Sequence, residues 1–378
     1  MSKRFNFILS GLTLLPLIQP AFLTKVSIAT SATAIISISQ KVNANERYNF
    51  YWDRADKKYE KGDFSGSIAD YTKAISINPE EPSAFYNRAL AKQDSEDYYG
   101  AIDDYTKTIE LDPKNANAFV NRGLSKSKLE NEKGAIKDYT KAIQLDPKNV
   151  LAYYNRGLSK SNLKNEKGAI KDYTKAIELD PNDHESFNNR AISKDNLEDY
   201  QGAIKDYTKA IDLNPEDDLY YYNRGVSKGL TEDYYGEISD YNKAIKINPN
   251  EPDFFNNRGY AKELIKDFEG AIADYTIAID LDPEYSLSHY NRGTLLGSMD
   301  DMDGACKDWR KAASKSILYK NFVESKIEDG EIASGYIGNM YTASIFMSLI
   351  SHLYVSFENN QELEGKRFGF ISYGSGSK

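Results

Sequence analysis

An all-α solenoid of repeated helix pairs is the fold this sequence predicts, and three observations predict it. An Asn-Arg pair recurs every 34 residues, at Asn87, Asn121, Asn155, Asn189, Asn223, Asn257 and Asn291, with Asp53-Arg54 as its echo in front. Within each period the larger and apolar side chains keep helical spacing, as at Tyr153, Tyr154, Gly157, Leu158 and Ser161, then at Ala169, Ile170, Tyr173, Ala176 and Ile177. A proline closes the period at Pro79, Pro113, Pro147, Pro181, Pro215, Pro249 and Pro283, where its missing amide donor stops a helix. Each repeat reads as helix, turn, helix, stop. Eight copies start near residues 48, 82, 116, 150, 184, 218, 252 and 286 and fill residues 48–318. Repeats of this size bury their apolar faces only against their neighbours, which is the logic of a solenoid.

The first helix of each repeat carries a ring at its fourth position: Tyr51, Phe85, Phe119, Tyr153, Phe187, Tyr221, Phe255 and, in the eighth repeat, His289. A small residue follows four places later, from Ala55 to Gly293. The second helix opens on a glycine (Gly66 in the first repeat, Gly304 in the eighth), continues with a small residue at position 20, and presents a ring at position 24, from Tyr71 to Trp309. Small residues let the two helices approach closely while rings fill the space between repeats. Glu237 stands where the sixth repeat should have its small residue, so that repeat is expected to pack worst.

These residues resemble the tetratricopeptide repeat family, whose pattern is a ring at position 4, small residues at 8 and 20, a ring at 24, Ala at 27 and Pro at 32. The resemblance implies a right-handed superhelical solenoid with the first helices lining a concave inner face. Two departures stand out: Arg54 through Arg292 where the family usually has Leu, and Lys58 through Lys262 where it often has Tyr. Ile317 replaces the eighth proline, so the array is expected to end there.

Charge follows the same period. Asp70, Asp104, Asp138, Asp172, Asp206, Asp240 and Asp274 stand three residues before a lysine in all but one case, which reads as a solvated helix face stabilised by a few tenths of a kcal/mol per pair. The net charge of −9 argues against a nucleic-acid partner, which would want a basic surface. A single cysteine, Cys306, excludes an intrachain disulfide framework and a cysteine-based zinc site, and its place in a repeat helix makes it a small buried hydrophobe. No cofactor is implied.

Residues 1–44 differ in kind. Lys3 and Arg4 precede an apolar run from Phe5 to Leu23, a second run spans Val26 to Ser39, and no acidic residue occurs before Glu46. A positive start, an apolar middle and the small-residue exit Val42-Asn43-Ala44 fit a secretory signal peptide, the alternative being an uncleaved membrane anchor. Both place the array outside the cytoplasm, with a membrane involved only if the segment is retained.

By analogy with the family, positions 2, 5, 6, 9 and 12 should point to the inner face. Position 6 gives a ladder of Asn87, Asn121, Asn155, Asn189, Asn223, Asn257 and Asn291. Position 5 gives Trp52, Tyr86, Tyr154, Tyr222 and Tyr290, with Val120, Asn188 and Asn256 between. Asn amides can pair with the backbone of an extended peptide, and rings supply contact area with few rotors to freeze; the same Asn can equally bond within the helix pair. The lysine and arginine positions with which some family members grip acidic chaperone tails are not matched here, so a receptor of that kind is disfavoured.

Residues 337–377 read IGNMYTASIFMSLISHLYVSFENNQELEGKRFGFISYGSGS. They are similar to part of the C-terminal half of hydroxymethylglutaryl-CoA synthase, with its GN(M/I)YT(A/G)S helix start and its FSYGSG strand end. The resemblance implies that Asn339 and Ser372 occupy places that help to hold an acyl group. Nothing before Ile337 resembles the surroundings of that enzyme's nucleophile, acid/base or histidine, and His184, His289 and His352 are far apart in the repeat frame. Residues 319–378 are therefore expected to be a helix-plus-strand tail rather than an active site. The function expected is a non-enzymatic scaffold that binds a peptide or protein segment; the alternative is an acyl-CoA enzyme, or an accessory to one, with the tail as its active part.

Overall fold

The structure is a computed structural model that describes residues 25–313, with side chains from residue 42. The synthase-like tail, the first apolar run, Ile317 and His352 lie outside those residues. All regular elements among the described residues are α-helices. They are α1 (Lys25–Glu60), α2 (Phe64–Ile77), α3 (Pro82–Asp94), α4 (Tyr98–Leu111), α5 (Ala116–Lys128), α6 (Glu132–Leu145), α7 (Val150–Asn162) and α8 (Glu166–Leu179). There follow α9 (His184–Asp195), α10 (Tyr200–Leu213), α11 (Asp218–Leu230), α12 (Tyr234–Ile247), α13 (Pro252–Leu264), α14 (Phe268–Leu281), α15 (Ser286–Ser298) and α16 (Met302–Ala313). The chain divides into two compact units, residues 1–147 and 148–378. In the first, α1–α2, α3–α4 and α5–α6 pair, and α2 packs on α3 and α4 on α5. In the second, the pairs run from α7–α8 to α15–α16, and α8 packs on α9, α10 on α11, α12 on α13 and α14 on α15.

Local chemistry sets the helix boundaries. Every second helix from α2 to α14 is capped by an Asp or Asn whose side chain accepts from the amide of the glycine three residues on, as Asp63 does from Gly66 and Asn165 from Gly168. A Cβ on Gly66 would lie 2.1 Å from that capping carboxylate, which favours glycine at this third residue of the helix, two places after its start at Phe64 rather than at the opening expected from the sequence. The turn before each cap places one residue in the left-handed region. Gly62 takes it in the first repeat, but charged residues do so afterwards, from Glu96 (φ 64°) to Asp300 (φ 67°). At the N-terminal side, α1 runs unbroken from Lys25 through Val42-Asn43-Ala44 into the first repeat. No helix among the described residues is long and apolar enough to cross a membrane.

The core is a column of rings and alanines. Tyr71, Tyr105, Tyr139, Tyr173, Tyr207, Tyr241 and Tyr275 are fully buried, beside alanines such as Ala89, Ala101, Ala191 and Ala203. Where position 8 is glycine the ring comes closer still; a Cβ on Gly157 would meet Tyr173 at 2.7 Å.

The recurring aspartates do not form a solvated face. Asp70, Asp104, Asp138, Asp172, Asp206, Asp240 and Asp274 are all buried, with exposures of 1–5%. Each receives a two-pronged grip from the arginine at position 7 of its own repeat, as in Arg156 Nε and Nη2 at 2.8 and 2.7 Å from Asp172. The lysine at position 11 completes the cluster, with Lys160 Nζ 2.6 Å from Asp172. Of the expected i,i+3 Asp–Lys pairs, Lys73–Asp70 forms at 3.9 Å, while Lys107, Lys175 and Lys209 turn instead to Glu110, Glu178 and Asp212. The physical reason is that Asp at position 23 points into the helix pair, where Arg and Lys supply the charge that burial demands. The Arg and Lys departures from the family pattern are thus one device. The guanidinium also lies over the ring at position 4, 5.5 Å away for Arg156 over Tyr153.

The eighth repeat keeps the device by substitution. Position 11 is Leu296, and His289 at position 4 takes over, its Nδ1 3.0 Å from Asp308 and its Nε2 3.2 Å from the Pro283 carbonyl. Arg292 holds Asp308 at 2.7 and 2.8 Å. Burial pushes the Asp308 carboxyl up, and the Arg292 and His289 hydrogen bonds more than reverse this, leaving it below the usual range.

Candidate binding face

The first helices of neighbouring repeats touch directly in the second compact unit: α7 with α9, α9 with α11 and α13 with α15. What joins them is the side-chain ladder at positions 5 and 6. Asn189 donates to the Tyr154 hydroxyl at 3.0 Å, Asn223 to Asn188 Oδ1 at 3.3 Å, Asn257 to the Tyr222 hydroxyl at 2.9 Å and Asn291 to Asn256 Oδ1 at 3.0 Å. In the first compact unit Asn121 donates to Tyr86 at 2.8 Å. Burial holds the Tyr86, Tyr154 and Tyr222 hydroxyls above their ordinary range, with the Asn bond pulling the other way. Asn256 and Val120 are buried, whereas the rest of the ladder, including Asn87, Asn155 and Tyr290, keeps part of its surface open. Asn121, Asn189, Asn223, Asn257 and Asn291 therefore bond between repeats while remaining only half-buried.

Position 12 does not join this face. Gln93, Asp195 and Glu263 turn inward and accept from the buried hydroxyls of Tyr105, Tyr207 and Tyr275 at 3.1, 2.9 and 3.0 Å. The sequence signal that could have shown this is the pairing of a polar residue at 12 with a buried Tyr at 24.

That pairing also explains the sixth repeat. Its position 12 is Gly229, and Glu237 fills the space from the other helix: Glu237 Oε1 accepts from Tyr241 at 3.0 Å. A Cβ on Gly229 would sit 2.5 Å from Glu237 Oε2. The expected misfit is thus a carboxylate relocated from position 12 to position 20, and the helix pair closes around it. Oε2 is buried without a hydrogen-bond partner, and burial raises the Glu237 carboxyl to about 7 against the Tyr241 bond.

No group of three or more His, Cys, Asp or Glu residues that could hold a metal ion occurs among the described residues. Cys306 is buried within α16 as a free thiol.

Family models for the tetratricopeptide repeat match residues 82–115, 150–183, 184–217 and 219–251, and a related repeat model matches 55–95 and 128–163. A further model, hydroxymethylglutaryl-coenzyme A synthase C terminal, matches residues 292–378. It begins well before Ile337, inside α15, and so overlaps a helix pair that carries the full Arg292–Asp308 clasp of the repeats. No curated protein matches the chain. Among solved structures, the C-terminal part of a repeat protein from Cytophaga hutchinsonii is 19% identical, with a TM-score of 0.53 over 63% of this chain and 97% of that one. A tetratricopeptide repeat protein from Parabacteroides merdae is also 19% identical, with a TM-score of 0.50 over 66% of this chain and 99% of that one. The MamA protein is 26% identical over 46% of this chain and 94% of that one, with a TM-score of 0.43. The helix pairs that these models match between residues 55 and 251 are tetratricopeptide repeats, and the described residues form an all-α array of such pairs; the segment similar to the C-terminal part of hydroxymethylglutaryl-CoA synthase overlaps α15 and α16.

Proposed function

We propose that this array is a non-catalytic scaffold that binds a peptide or protein segment along the first-helix face, through Asn87, Asn121, Asn155, Asn189, Asn223, Asn257 and Asn291 with Tyr86, Tyr154, Tyr222 and Tyr290. The observation that carries this reading is the division of labour within each repeat. The Arg, Lys and Asp side chains of the second-helix interface are consumed in pairing with one another, and the ring at position 24 is buried. The ladder combines hydrogen-bonding groups with half-buried rings along one line of first helices, a composition that suits recognition of an extended chain. We place the array outside the cytoplasm, on the strength of the basic-apolar leader ending at Val42-Asn43-Ala44.

The test is partner capture from an envelope or secreted fraction. Replacing Asn155, Asn189 and Asn223 together by Ala should weaken capture while leaving helical content nearly unchanged. Unfolding of the array instead would make the ladder purely structural and remove the support for this face.

The match over residues 292–378 favours a second reading, in which that segment works on an acyl-CoA. Acyl transfer of that type needs a thiolate beside its acid/base partners. Cys306, the one thiol of the chain, is buried in a repeat helix. Labelled acetyl-CoA that left stoichiometric label on Cys306 would establish the second reading.

A further inference from the structure

The inner face of the second compact unit has a period of two repeats. At position 2 the residues run Leu151, Glu185, Leu219, Asp253, Leu287, and at position 5 they run Tyr154, Asn188, Tyr222, Asn256, Tyr290. Leu and Tyr share α7, α11 and α15, one helical turn apart, while acid and Asn share α9 and α13. The hydrogen bonds alternate in step, Asn to Tyr and then Asn to Asn. Leu151, Leu219 and Leu287 are 63%, 54% and 48% exposed.

The acids sit beside the rings. Burial is the main cause that raises the Tyr154 and Tyr222 hydroxyls, and the negative charges of Glu185 and Asp253 add to it; Asp253 also accepts from Tyr285. Neither Glu185 nor Asp253 forms an ion pair among the described residues. Across positions 2, 5, 6 and 9 from Val150 to Ser298, these two are the sole charged residues. The face is therefore apolar ridge, acidic step, apolar ridge, acidic step, apolar ridge.

We infer that the segment bound on this face is an extended peptide in which apolar side chains alternate with basic ones. Leu and Tyr pairs accept the apolar residues, Glu185 and Asp253 accept the basic ones, and the Asn ladder meets the backbone between. First helices packed at about 8–10 Å put like ridges about 16–20 Å apart. That span corresponds to about five or six residues of extended chain, so Leu and Arg should alternate at about every third residue. This inference rests on the scaffold reading and sharpens it.

Anisotropy of two labelled synthetic peptides on the full chain tests it: one alternating Leu and Arg at that spacing, the other Leu and Glu. The Leu/Arg peptide should bind roughly tenfold tighter, an advantage that shrinks with added salt. Glu185→Lys combined with Asp253→Lys should reverse the preference, and Leu219→Ser should weaken both peptides, with circular dichroism unchanged in each variant. Equal binding of the two peptides, binding of neither, or a preference untouched by the charge reversal would overturn the inference. Capture of a native partner that still depends on the Asn ladder would then leave the scaffold reading standing, so the two can fail separately.

Discussion

Two buried carboxylates, Asp172 in α8 and Glu237 in α12, occupy neighbouring levels of the same kind of helix pair and meet opposite fates. Asp172 receives Arg156 on both oxygens and Lys160 on one of them. Glu237 receives one tyrosine hydroxyl, and its other oxygen has no partner. Both are buried to a similar degree, 4% and 6% exposed. The difference teaches that burial alone does not decide whether a carboxylate is ionised or tolerated. A guanidinium fork returns the hydration that burial removes, whereas a single neutral donor does not, and burial raises the Glu237 carboxyl.

The largest expected effect comes from breaking the satisfied site. Asp172→Ala strands Arg156 and Lys160 opposite no counter-charge, which should cost about 3–5 kcal/mol. The readout is the chemical-denaturation midpoint, with Arg156→Ala/Asp172→Ala expected to lose less than Asp172→Ala alone. A loss no larger than that of an exposed pair would mean the clasp is decorative.

The unsatisfied site should announce itself through pH. The Glu237 carboxyl rises from 4.5 to about 7 in the fold, so the folded state holds the proton more tightly than the unfolded chain. Its contribution is fully present below pH 4.5 and is lost as pH rises through 7, a swing on the order of 3 kcal/mol at most. Glu237→Gln keeps the shape and removes the titration, so its stability profile should be flatter between those pH values. Parallel profiles for the two proteins would place the titration elsewhere.

The smallest effect tests the compensation itself. Gly229→Ala drives a methyl against Glu237 Oε2 and should destabilise by about 1–3 kcal/mol. Combined with Glu237→Ala, which restores the arrangement of small residues usual at position 20, the penalty should largely vanish. Additive losses would show that the two positions do not share one space.

Much of the fold was legible because the period exposes it. Prolines, the small residues at positions 8 and 20 and the rings at position 24 each state one boundary or one buried contact, and eight repetitions remove the ambiguity of a single reading. The charge device was not legible from neighbours in sequence. Asp172 and Lys175 are three apart and suggest a surface pair, yet Asp172 bonds Arg156 across the interhelix turn, a contact that periodicity along one helix does not encode. The role of Glu237 was hidden for a related reason: it compensates Gly229 on the partner helix, and only the close approach of the two helices shows that one has donated its volume to the other. The Asn ladder was found from its spacing, while its alternation with Leu and Tyr emerges when hydrogen bonds are read across repeats.

The arginine that grips its own aspartate also reaches back one repeat. Arg190, Arg224 and Arg292 donate through Nη1 to Thr174, Thr208 and Thr276 at 3.1, 3.1 and 2.9 Å, and Arg258 does so to Asn242 at 2.6 Å. Each guanidinium is thus at once an internal brace and a clasp on the previous repeat. In a chain of nearest-neighbour couplings, such a residue raises the cost of a boundary between ordered and disordered stretches wherever that boundary falls. Fraying in the second compact unit is then expected to proceed by whole helix pairs, so that heating shortens the intact array more than it loosens its tip.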